Sequence, residues 1–430
     1  MLSEMIYASS RDFPLLSAKA RSEICFAAAD TFAVLAAGWN EPATQGVRAA
    51  YPAVQPPGDG DNSYGAEACA LVWGTAAHAL DFDDVHMTSV THPSAVLVAA
   101  LEAMVQSRPA LAPRRAEAFT LGLAVNMALG EALGFDHYAR GWHATSTIGS
   151  VACGAAVAHL LDMDRPAFAS ALAIAAAQSS GLQRNFGTTV KPLQAGLAAA
   201  AGVRAGLLAE AGMRGPEDIF GGSNGFLTVF GQQPAVLPKL DIEKAVTTLS
   251  RKLFGCCYLA HRPVSAALDL RERVDVAALS APGLQIDVTV PPGCLKALTV
   301  AVPMTGLEAK FSGQYTVAHA LLHGGLGLKA FTDEAVRDSH VINLARRVSL
   351  REVGPVGSGT VGIDRGEVEI SARLNGTLLG QATAVHYPGS PGQPMSQAQL
   401  DAKILDCVGG DAAKAEQVLN RARMFAGVPS

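Results

Sequence analysis

The residues best suited to chemistry lie close together in the run HALDFDDVHMTSVTHPS, at positions 78–94. This run holds three carboxylates and three imidazoles, namely Asp81, Asp83, Asp84, His78, His86 and His92. Burial, like charges and hydrogen bonds within such a cluster shift pKa values, and shifted pKa values are typical of sites that move protons. Paired aspartates also form turns and helix caps, so the pattern alone leaves a structural role open.

Two further basic side chains stand where predicted helices begin. His143 lies in the glycine-led run GWHATST, and Lys191 precedes Pro192, a residue well suited to the first helical position. His92 likewise lies just ahead of a predicted helix, where free backbone N–H groups and the helix dipole favour an anion. If the three helix starts converge, they form a pocket for a molecule that bears carboxylates. Each residue also has a structural reading: His143 and His78 as buried core histidines, and Lys191 as a solvated lysine.

Hydrophobic periodicity predicts that these groups are carried by helices. Helices are expected over 14–38, 64–80, 95–105, 115–138, 148–161 and 164–177, and a loop over 39–63. Ser94 is expected to cap the helix that follows it, and Asp164 to begin the last helix of this series.

The pattern changes after about residue 255, where alternating apolar residues predict strands. Strands are expected over 284–290, 347–353 and 366–387, the last divided into a hairpin at Asn375-Gly376, and helices over 312–322 and 396–425. We therefore predict a mainly α chain: a helical domain over 1–258, a smaller α+β domain over 259–395, and C-terminal helices over 396–430 that return to the first domain. His261 falls beside the junction, and Tyr315 at the start of a helix.

Composition excludes several classes of protein. A chain of 430 residues suggests two domains, and a net charge of −5 without a Lys/Arg cluster argues against nucleic acid as a partner. The N-terminus lacks the basic flank and apolar core of a signal peptide, so we expect no export. The stretch 142–161 has the length of a membrane span, but its Ser, Thr and Gly residues favour a buried helix, and we expect no membrane partner.

The cysteines point to a reducing compartment. All seven are scattered and none has CxxC spacing, which predicts reduced thiols and a cytoplasmic location. They also lack the spacing that an iron–sulfur dehydratase needs.

Five separated blocks of the sequence together resemble a known family. They are HALDFDDVH and THPS within 78–94, GWHATSTIG at 141–149, NFGTTVKPLQAG at 185–196, LAHRP at 259–263 and AKFSGQYTVAHALLHG at 309–324. In this order they are similar to the MmgE/PrpD family, which contains 2-methylcitrate dehydratases, cis-aconitate decarboxylases and iminodisuccinate epimerases. The resemblance runs through most of the chain.

The resemblance implies a large all-α domain and a smaller α+β lid domain, usually in a homodimer, with the active site between the domains and without a metal or organic cofactor. The family's active-site positions match Asp81, His92, His143, Lys191, His261 and Tyr315. As further substrate-binding residues we expect Asp84, His86, Thr188 and Thr189. The chain departs from the family in having Val85 where Thr is usual, and one more residue before His-Pro-Ser than the decarboxylases.

The first hypothesis is a cofactor-independent lyase, of dehydratase type, that acts on a small di- or tricarboxylate. In it, His92, oriented by Asp81, moves a proton at the carbon next to a carboxylate, and His143 or Tyr315 serves a second position. Lys191 and His261 bind carboxylates and spread the developing charge, although Lys191 is also a candidate proton carrier.

Four alternatives stay open at this point. Two keep the resemblance: an epimerase or racemase of a substituted succinate such as iminodisuccinate, and a decarboxylase of the cis-aconitate type. A third is a metal hydrolase that uses Asp81, Asp84, His86 and His92 as ligands. The last is a non-catalytic binding protein, since a family resemblance does not guarantee activity.

Overall fold

The computed structural model describes residues 1–59, 65–231, 240–354 and 366–428. The chain divides into two units, Met1–Arg251 with Leu400–Ser430 and Lys252–Gln399, and each is described by itself. The boundaries predicted after residues 258 and 395 lie a few residues from these. Tyr64, the predicted first residue of the second helix, lies outside the described residues.

The first unit is built of α-helices whose contacts are rich in alanine and glycine. In chain order they are α1 (Leu2–Arg11), α2 (Ala18–Gly38), α3 (Pro42–Ala50), α4 (Gly65–His78), α5 (Pro93–Ser107), α6 (Arg115–Ala139), α7 (Ala144–Leu160), α8 (Arg165–Ala176), α9 (Val190–Glu210), α10 (Phe226–Phe230) and α11 (Ile242–Thr247). Helices α4, α5, α7 and α9 pack against one another at the centre of this unit. The predicted helical character of this half is confirmed.

Local capping explains where several of these helices begin. The Ser17 hydroxyl accepts a hydrogen bond from the Ala20 N–H at 3.1 Å, and Asp164 accepts one from the Ala167 N–H at 3.0 Å. Ser17 and Asp164 both lie within segments that the sequence predicts to be helical.

Three details of the prediction for this unit are wrong. The expected loop over 39–63 contains α3, because Pro42 takes the first helical position, where its missing N–H is not needed. Ser94 is not the cap of α5, which begins at Pro93 with His92 at the N-cap position. Pro192 lies inside the first turn of α9 and does not begin it.

The apolar stretch 142–161 forms a buried helix, as predicted. All 17 residues of α7 are buried. Residues Pro109–Ala139 also form a helical segment long and apolar enough to cross a membrane, but 78% of its apolar window is buried by the rest of the protein. That burial is the pattern of a core helix.

Helices α4 and α9 cross at two glycines, and this crossing sets the spacing of the residues at their ends. A Cβ on Gly74 would lie 2.9 Å from the Gly196 Cα, and one on Gly196 would overlap the Leu71 carbonyl oxygen and the Thr75 hydroxyl. The backbones are therefore in direct contact one to two turns from His78, where α4 ends, and from the start of α9.

We predict that Gly196→Ala destabilises the protein by about 1–3 kcal/mol, because the added methyl must push two backbones apart. The matched control is Gly46→Ala in α3, where a Cβ meets nothing within 4 Å; it is expected to be neutral or to stabilise by up to about 1 kcal/mol. Denaturant unfolding measures both. Equal effects of the two substitutions would contradict the close contact of α4 and α9.

The second unit combines one sheet with short helices. Its elements are α12 (His261–Arg271), β1 (Leu284–Val290), α13 (Gly306–Ala309), α14 (Gly313–His323), α15 (Ser339–Ala345), β2 (Val348–Glu352), β3 (Val368–Leu374) and β4 (Thr377–Ala384). The sheet order is β2-β1-β3-β4, with β1 and β2 parallel and the other pairs antiparallel. Helices α13–α15 form the crossover that a parallel pair needs, and α12 and α14 contact the sheet.

The predicted strands of this unit are confirmed, and so is the hairpin. Asn375 and Gly376 have φ values of 49° and 84°, the left-handed backbone that the two-residue turn between β3 and β4 requires. The two strands show a register irregularity between Ala372 and Arg373.

The C-terminal segment supplies two helices, α16 (Gln397–Cys407) and α17 (Ala412–Ala426). They are separated at Gly409 and Gly410, whose φ values of 69° and 85° end α16. From Leu400 onward this segment belongs to the first unit. There the ring of Phe425 in α17 packs against Phe32 and Phe119 at centroid distances of 6.1 and 5.5 Å.

Candidate active site

The loop between α4 and α5 folds back on itself and turns its acidic side chains inward. His86 and Thr91 pair through two backbone hydrogen bonds, of 2.9 and 3.3 Å. Asp81, at the start of the loop, has a φ of 53°, a left-handed conformation that Asp adopts more readily than most residues. This backbone reversal directs the Asp81 carboxylate toward α9.

Asp81 pairs with the lysine at the start of α9. The Lys191 Nζ lies 2.9 Å from the Asp81 Oδ1, and the ammonium stands over the Phe186 ring at 5.3 Å from its centroid. Lys191 is only 9% exposed. A solvated lysine was the alternative left open by the sequence, and the burial of Lys191 beside a carboxylate removes that alternative.

Asp83, which the sequence analysis did not assign to the site, lies between two imidazoles. Its Oδ2 is 2.8 Å from the His78 Nδ1 and 3.3 Å from the His92 Nδ1. The expected partner of His92, Asp81, is farther away, with its Oδ1 3.8 Å from the His92 Nε2. Burial alone raises the pKa of Asp83, but the two imidazoles hold it well below its ordinary value. Asp83 is therefore a buried, ionised carboxylate, and it is closer to the His92 ring than Asp81 is.

His143 approaches the same cluster from α7, where it is the N-cap residue. Its ring stacks on His78 at a centroid distance of 5.8 Å and meets Phe186 edge-on at 5.1 Å. Burial holds the pKa of His143 well below 6.5, and the nearby Lys191 ammonium acts in the same direction. At neutral pH His143 is therefore an uncharged imidazole.

The three helix starts predicted from the sequence converge. The backbone N–H of His92, the N-cap of α5, donates to the Thr145 Oγ1 in the first turn of α7 at 3.1 Å. The His78 ring joins the His92 ring at 4.6 Å and the His143 ring at 5.8 Å, and Lys191 completes the group from the start of α9. Three helix N-termini thus face one buried cluster, an arrangement that favours an anion.

Two of the expected substrate-binding residues are engaged elsewhere in the loop. Asp84 accepts hydrogen bonds from the Ser94 N–H at 3.2 Å and from the Ser94 hydroxyl. The His86 Nδ1 lies 2.7 Å from the Ser89 hydroxyl, and burial lowers the pKa of His86 to about 4. Both side chains are almost fully buried, and these contacts lie within the loop and with the start of α5. The hydrogen bonds of Asp84 and His86 stabilise the conformation of the loop.

The protonation of Asp84 gives a test of this arrangement. Burial raises the pKa of Asp84 to about 7, although the Ser94 hydroxyl opposes the shift. Since the unfolded carboxyl titrates near 3.8, the folded protein binds this proton more tightly between about pH 4 and pH 7. The contribution of Asp84 to stability therefore falls as pH rises, by up to about 1.4 kcal/mol per pH unit.

Asp84→Asn removes this dependence. We expect the unfolding free energy of the wild type, minus that of Asp84→Asn, to fall between pH 4 and pH 7 and to level off above it. Urea unfolding of both proteins across this range measures the difference, and parallel curves would contradict the assignment.

The remaining expected residues of the first unit lie at the edge of the cluster. Thr188 and Thr189 are exposed at the start of α9, and the Thr188 hydroxyl donates to the Asn185 carbonyl at 2.8 Å. Val85 is buried, and its backbone exchanges two hydrogen bonds with Ser250, of 2.7 and 2.8 Å. The residue that replaces the family's usual Thr is thus fixed by a bridge to the segment after α11.

His261 and Tyr315 belong to the second unit. His261 begins α12, fully buried among the rings of Phe254 and Tyr387 at centroid distances of 5.2 and 5.0 Å. The Tyr315 hydroxyl donates to the Ala330 carbonyl at 2.6 Å, and burial raises its pKa to about 12. Proton transfer by Tyr315 would first require that hydrogen bond to break.

The cluster also has a composition that could bind a metal ion. One ligand atom each from His78, Asp81, Asp83 and His92 lies within 4.8 Å of the others. This set differs from the four ligands expected for a metal hydrolase, since Asp84 and His86 bond to Ser94 and Ser89 instead. Asp81 is paired with the Lys191 ammonium, and Asp83 is hydrogen-bonded to the His78 imidazole. Both partners are groups that carry protons.

Fold and site together define a mainly α, two-unit protein with a buried carboxylate, imidazole and lysine cluster in its helical unit. The family model of the MmgE/PrpD N-terminal domain matches residues 6–237, and that of the MmgE/PrpD C-terminal domain matches residues 254–423. The chain therefore belongs to the MmgE/PrpD family, which confirms the resemblance found in the sequence.

Several cis-aconitate decarboxylases are similar to this chain. The human protein is 26% identical over 350 residues, which cover 78% of this chain and 71% of the relative. The mouse protein is 27% identical over 352 residues, covering 78% and 70%. The protein of Aspergillus terreus is 26% identical over 311 residues, covering 66% and 63%.

Proposed function

We propose that this protein is a cofactor-independent lyase that acts on a small di- or tricarboxylate by proton transfer at the carbon next to a carboxylate. The observation that carries the proposal is the buried group formed by Lys191, Asp81, His92 and His143 at three helix N-termini. The Lys191 ammonium and the helix N-termini, whose dipoles favour negative charge, suit a substrate carboxylate. The imidazoles suit a proton that must leave or join the adjacent carbon.

In the dehydratase form of the reaction, the His92 Nε2 takes the proton from that carbon. The electron pair of the broken C–H bond forms the alkene as the C–O bond breaks, and the departing hydroxide takes a proton from Lys191 or an imidazole to leave as water. Positive charge at Lys191 stabilises the negative charge that builds up on the carboxylate, the kind of effect that usually dominates such catalysis. No hydride or electron leaves the substrate, so the reaction needs no redox cofactor.

Decarboxylation is the second candidate, favoured by the activity in the names of the relatives. There the bond to CO2 supplies the electron pair, and one of the same groups then delivers a proton to the carbon. Val85 stands where the family usually has Thr, and the chain is expected to have one more residue before His-Pro-Ser than the decarboxylases; these two differences argue against a direct transfer of decarboxylase activity. Dehydration is therefore placed first, and epimerisation of a substituted succinate stays a third outcome of the test. A homodimer in the cytoplasm remains part of the proposal.

The test is an NMR assay in D2O of the purified, chelator-treated protein with citrate, 2-methylcitrate, cis-aconitate and iminodisuccinate in turn. Dehydration produces vinyl or alkene signals and ultraviolet absorbance. Decarboxylation of cis-aconitate releases CO2 and leaves deuterium on the product. Epimerisation places deuterium in the recovered substrate.

Each outcome decides between branches of the proposal. Conversion by the chelator-treated protein supports cofactor-independent proton chemistry and identifies the branch. Activity that disappears on chelation and returns with a divalent ion would replace it with metal chemistry at the same cluster. The absence of conversion and of deuterium exchange with all four compounds would contradict the substrate class.

A further inference from the structure

One carboxylate oxygen of Asp83 lies close to two imidazoles of this cluster. The Asp83 Oδ2 lies 2.8 Å from the His78 Nδ1 and 3.3 Å from the His92 Nδ1, and Asp83 is 0% exposed. An ionised carboxylate accepts hydrogen bonds and donates none. The His78 Nδ1, which hydrogen-bonds to Asp83, must therefore carry a proton, and the carboxylate charge 3.3 Å away favours a proton on the His92 Nδ1 as well.

This arrangement fixes which nitrogen of His92 can act. With the proton on Nδ1, the Nε2 of a neutral His92 keeps its lone pair, and that nitrogen faces Asp81 at 3.8 Å, beside Lys191. His78 at the end of α4 and His143 at the start of α7 are further titratable groups near His92. His92 thus directs its basic nitrogen toward Asp81, the carboxylate that pairs with Lys191.

His78 bonds to the same Asp83 oxygen, and its ring lies near those of both proposed proton carriers, His92 and His143. Its ring lies 4.6 Å from that of His92 and 5.8 Å from that of His143, and its side chain is fully buried. The His78 Nε2 has no hydrogen-bond partner among the described residues. A buried, unpartnered nitrogen is costly in a residue that serves stability alone.

We propose that Asp83 and His78 are positioning residues that hold His92 in the Nδ1–H tautomer, with its Nε2 as the proton-transferring nitrogen. The catalytic part of this inference rests on the proposed function, while the tautomer is a property of the resting protein. The alternative is a polar core cluster that stabilises the loop without setting the state of His92.

The first measurement needs no substrate. Protein labelled with ¹⁵N-histidine gives imidazole correlation spectra in which the two tautomers are distinct. We expect the Nδ1–H form for His92 in the chelator-treated wild type, and a shift toward the Nε2–H form in Asp83→Asn. A wild-type His92 in the Nε2–H form, or an unchanged tautomer in Asp83→Asn, would overturn the inference whatever the substrate proves to be.

The second measurement follows catalysis on the substrate that the D2O assay identifies. Asp83→Asn is expected to lower kcat roughly 10²- to 10⁴-fold, the range for loss of a working acid or base, while KM changes less than about threefold. The pH profile of kcat/KM should also change, because a negative charge beside the proton-transferring imidazole is lost. A kcat within about twofold of the wild type would contradict the role of Asp83.

Variants of His78 keep the test valid if Asp83→Asn does not fold. His78→Asn retains an N–H donor near the position of Nδ1 and should keep the tautomer and most of the turnover, whereas His78→Ala should lose both. The matched control is His159→Asn at the far end of α7, a buried imidazole whose Nδ1 lies 2.8 Å from the Ser10 hydroxyl. It is expected to affect stability and leave the His92 tautomer unchanged. Equal effects of the two His78 variants on the tautomer would contradict the proposed hydrogen bond.

Discussion

Lys191→Ala is expected to lower turnover by roughly 10²- to 10⁴-fold, the range for loss of a correctly placed acid or base. Lys191 places a buried ammonium 2.9 Å from Asp81 and beside the imidazoles of His92 and His143. Without it the cluster loses the cation that would bind a substrate carboxylate. Steady-state kinetics on the substrate identified in D2O measures the loss.

Removal of Lys191 also leaves a carboxylate with little access to water. Breaking a buried ion pair by deleting one partner commonly costs about 3–5 kcal/mol; this pair is slightly exposed, so a smaller cost is expected. Lys191→Met with Asp81→Asn removes both charges and should recover stability without recovering turnover. That result separates the chemical role of the lysine from its structural role.

A matched control for Lys191→Ala is Lys19→Ala, which removes an exposed ammonium from the first turn of α2. It should leave turnover and stability within experimental error of the wild type. Undiminished turnover of Lys191→Ala, or equal losses in both variants, would refute the assignment of Lys191 to the site.

The parts of the site that were predictable from sequence are those fixed by local structure. His92 and His143 stand at helix starts that local signals mark, since Pro93 takes the first helical position after His92 and Gly141 precedes His143. The start of the helix at Lys191 was indicated by Pro192, although that proline lies inside the first turn. The hairpin at Asn375-Gly376 was readable for the same reason. Convergence of the three helix starts could only be stated as a condition, since it depends on how α5, α7 and α9 pack.

The pairing of the acidic residues was not predictable from spacing. Asp81, Asp83 and Asp84 lie close together in sequence. Asp81 nevertheless faces a lysine, Asp83 faces two imidazoles and Asp84 faces a serine. The left-handed backbone at Asp81 decides which carboxylate turns toward α9, and a pattern of residue types does not contain that dihedral angle. His78 was set aside as a core histidine for the same reason, because its partner is assigned only by the fold of the loop.

A lysine outside every predicted motif, Lys403, supports this loop from the C-terminal segment. Lys403 in α16 is fully buried, forms an ion pair with Asp30 of α2, and donates a hydrogen bond to the Phe82 carbonyl at 2.8 Å. Its ammonium also stands 3.9 Å from the centroid of the Phe82 ring. Phe82 separates Asp81 from Asp83, so the lysine fixes the backbone between the two carboxylates of the site.

We therefore predict that Lys403→Met destabilises the protein by about 3–5 kcal/mol, because Asp30 and the Phe82 carbonyl lose a buried partner. The exposed Lys414 in α17 provides the matched control, and Lys414→Met should change stability by less than about 0.5 kcal/mol. Urea unfolding measures both.

The double variant Lys403→Met with Asp30→Leu distinguishes the effect of losing the buried ion pair from the effect of losing the hydrogen bond that supports the loop. Replacing a buried ion pair by apolar side chains of similar size is often neutral or stabilising, so global stability should largely return. The hydrogen bond to the Phe82 carbonyl does not return, and turnover should therefore stay below that of the wild type while the protein is folded. Full recovery of turnover together with stability would show that α16 acts only through the global free energy of folding. Recovery of stability alone would show that the spacing of Asp81 and Asp83 depends on Lys403.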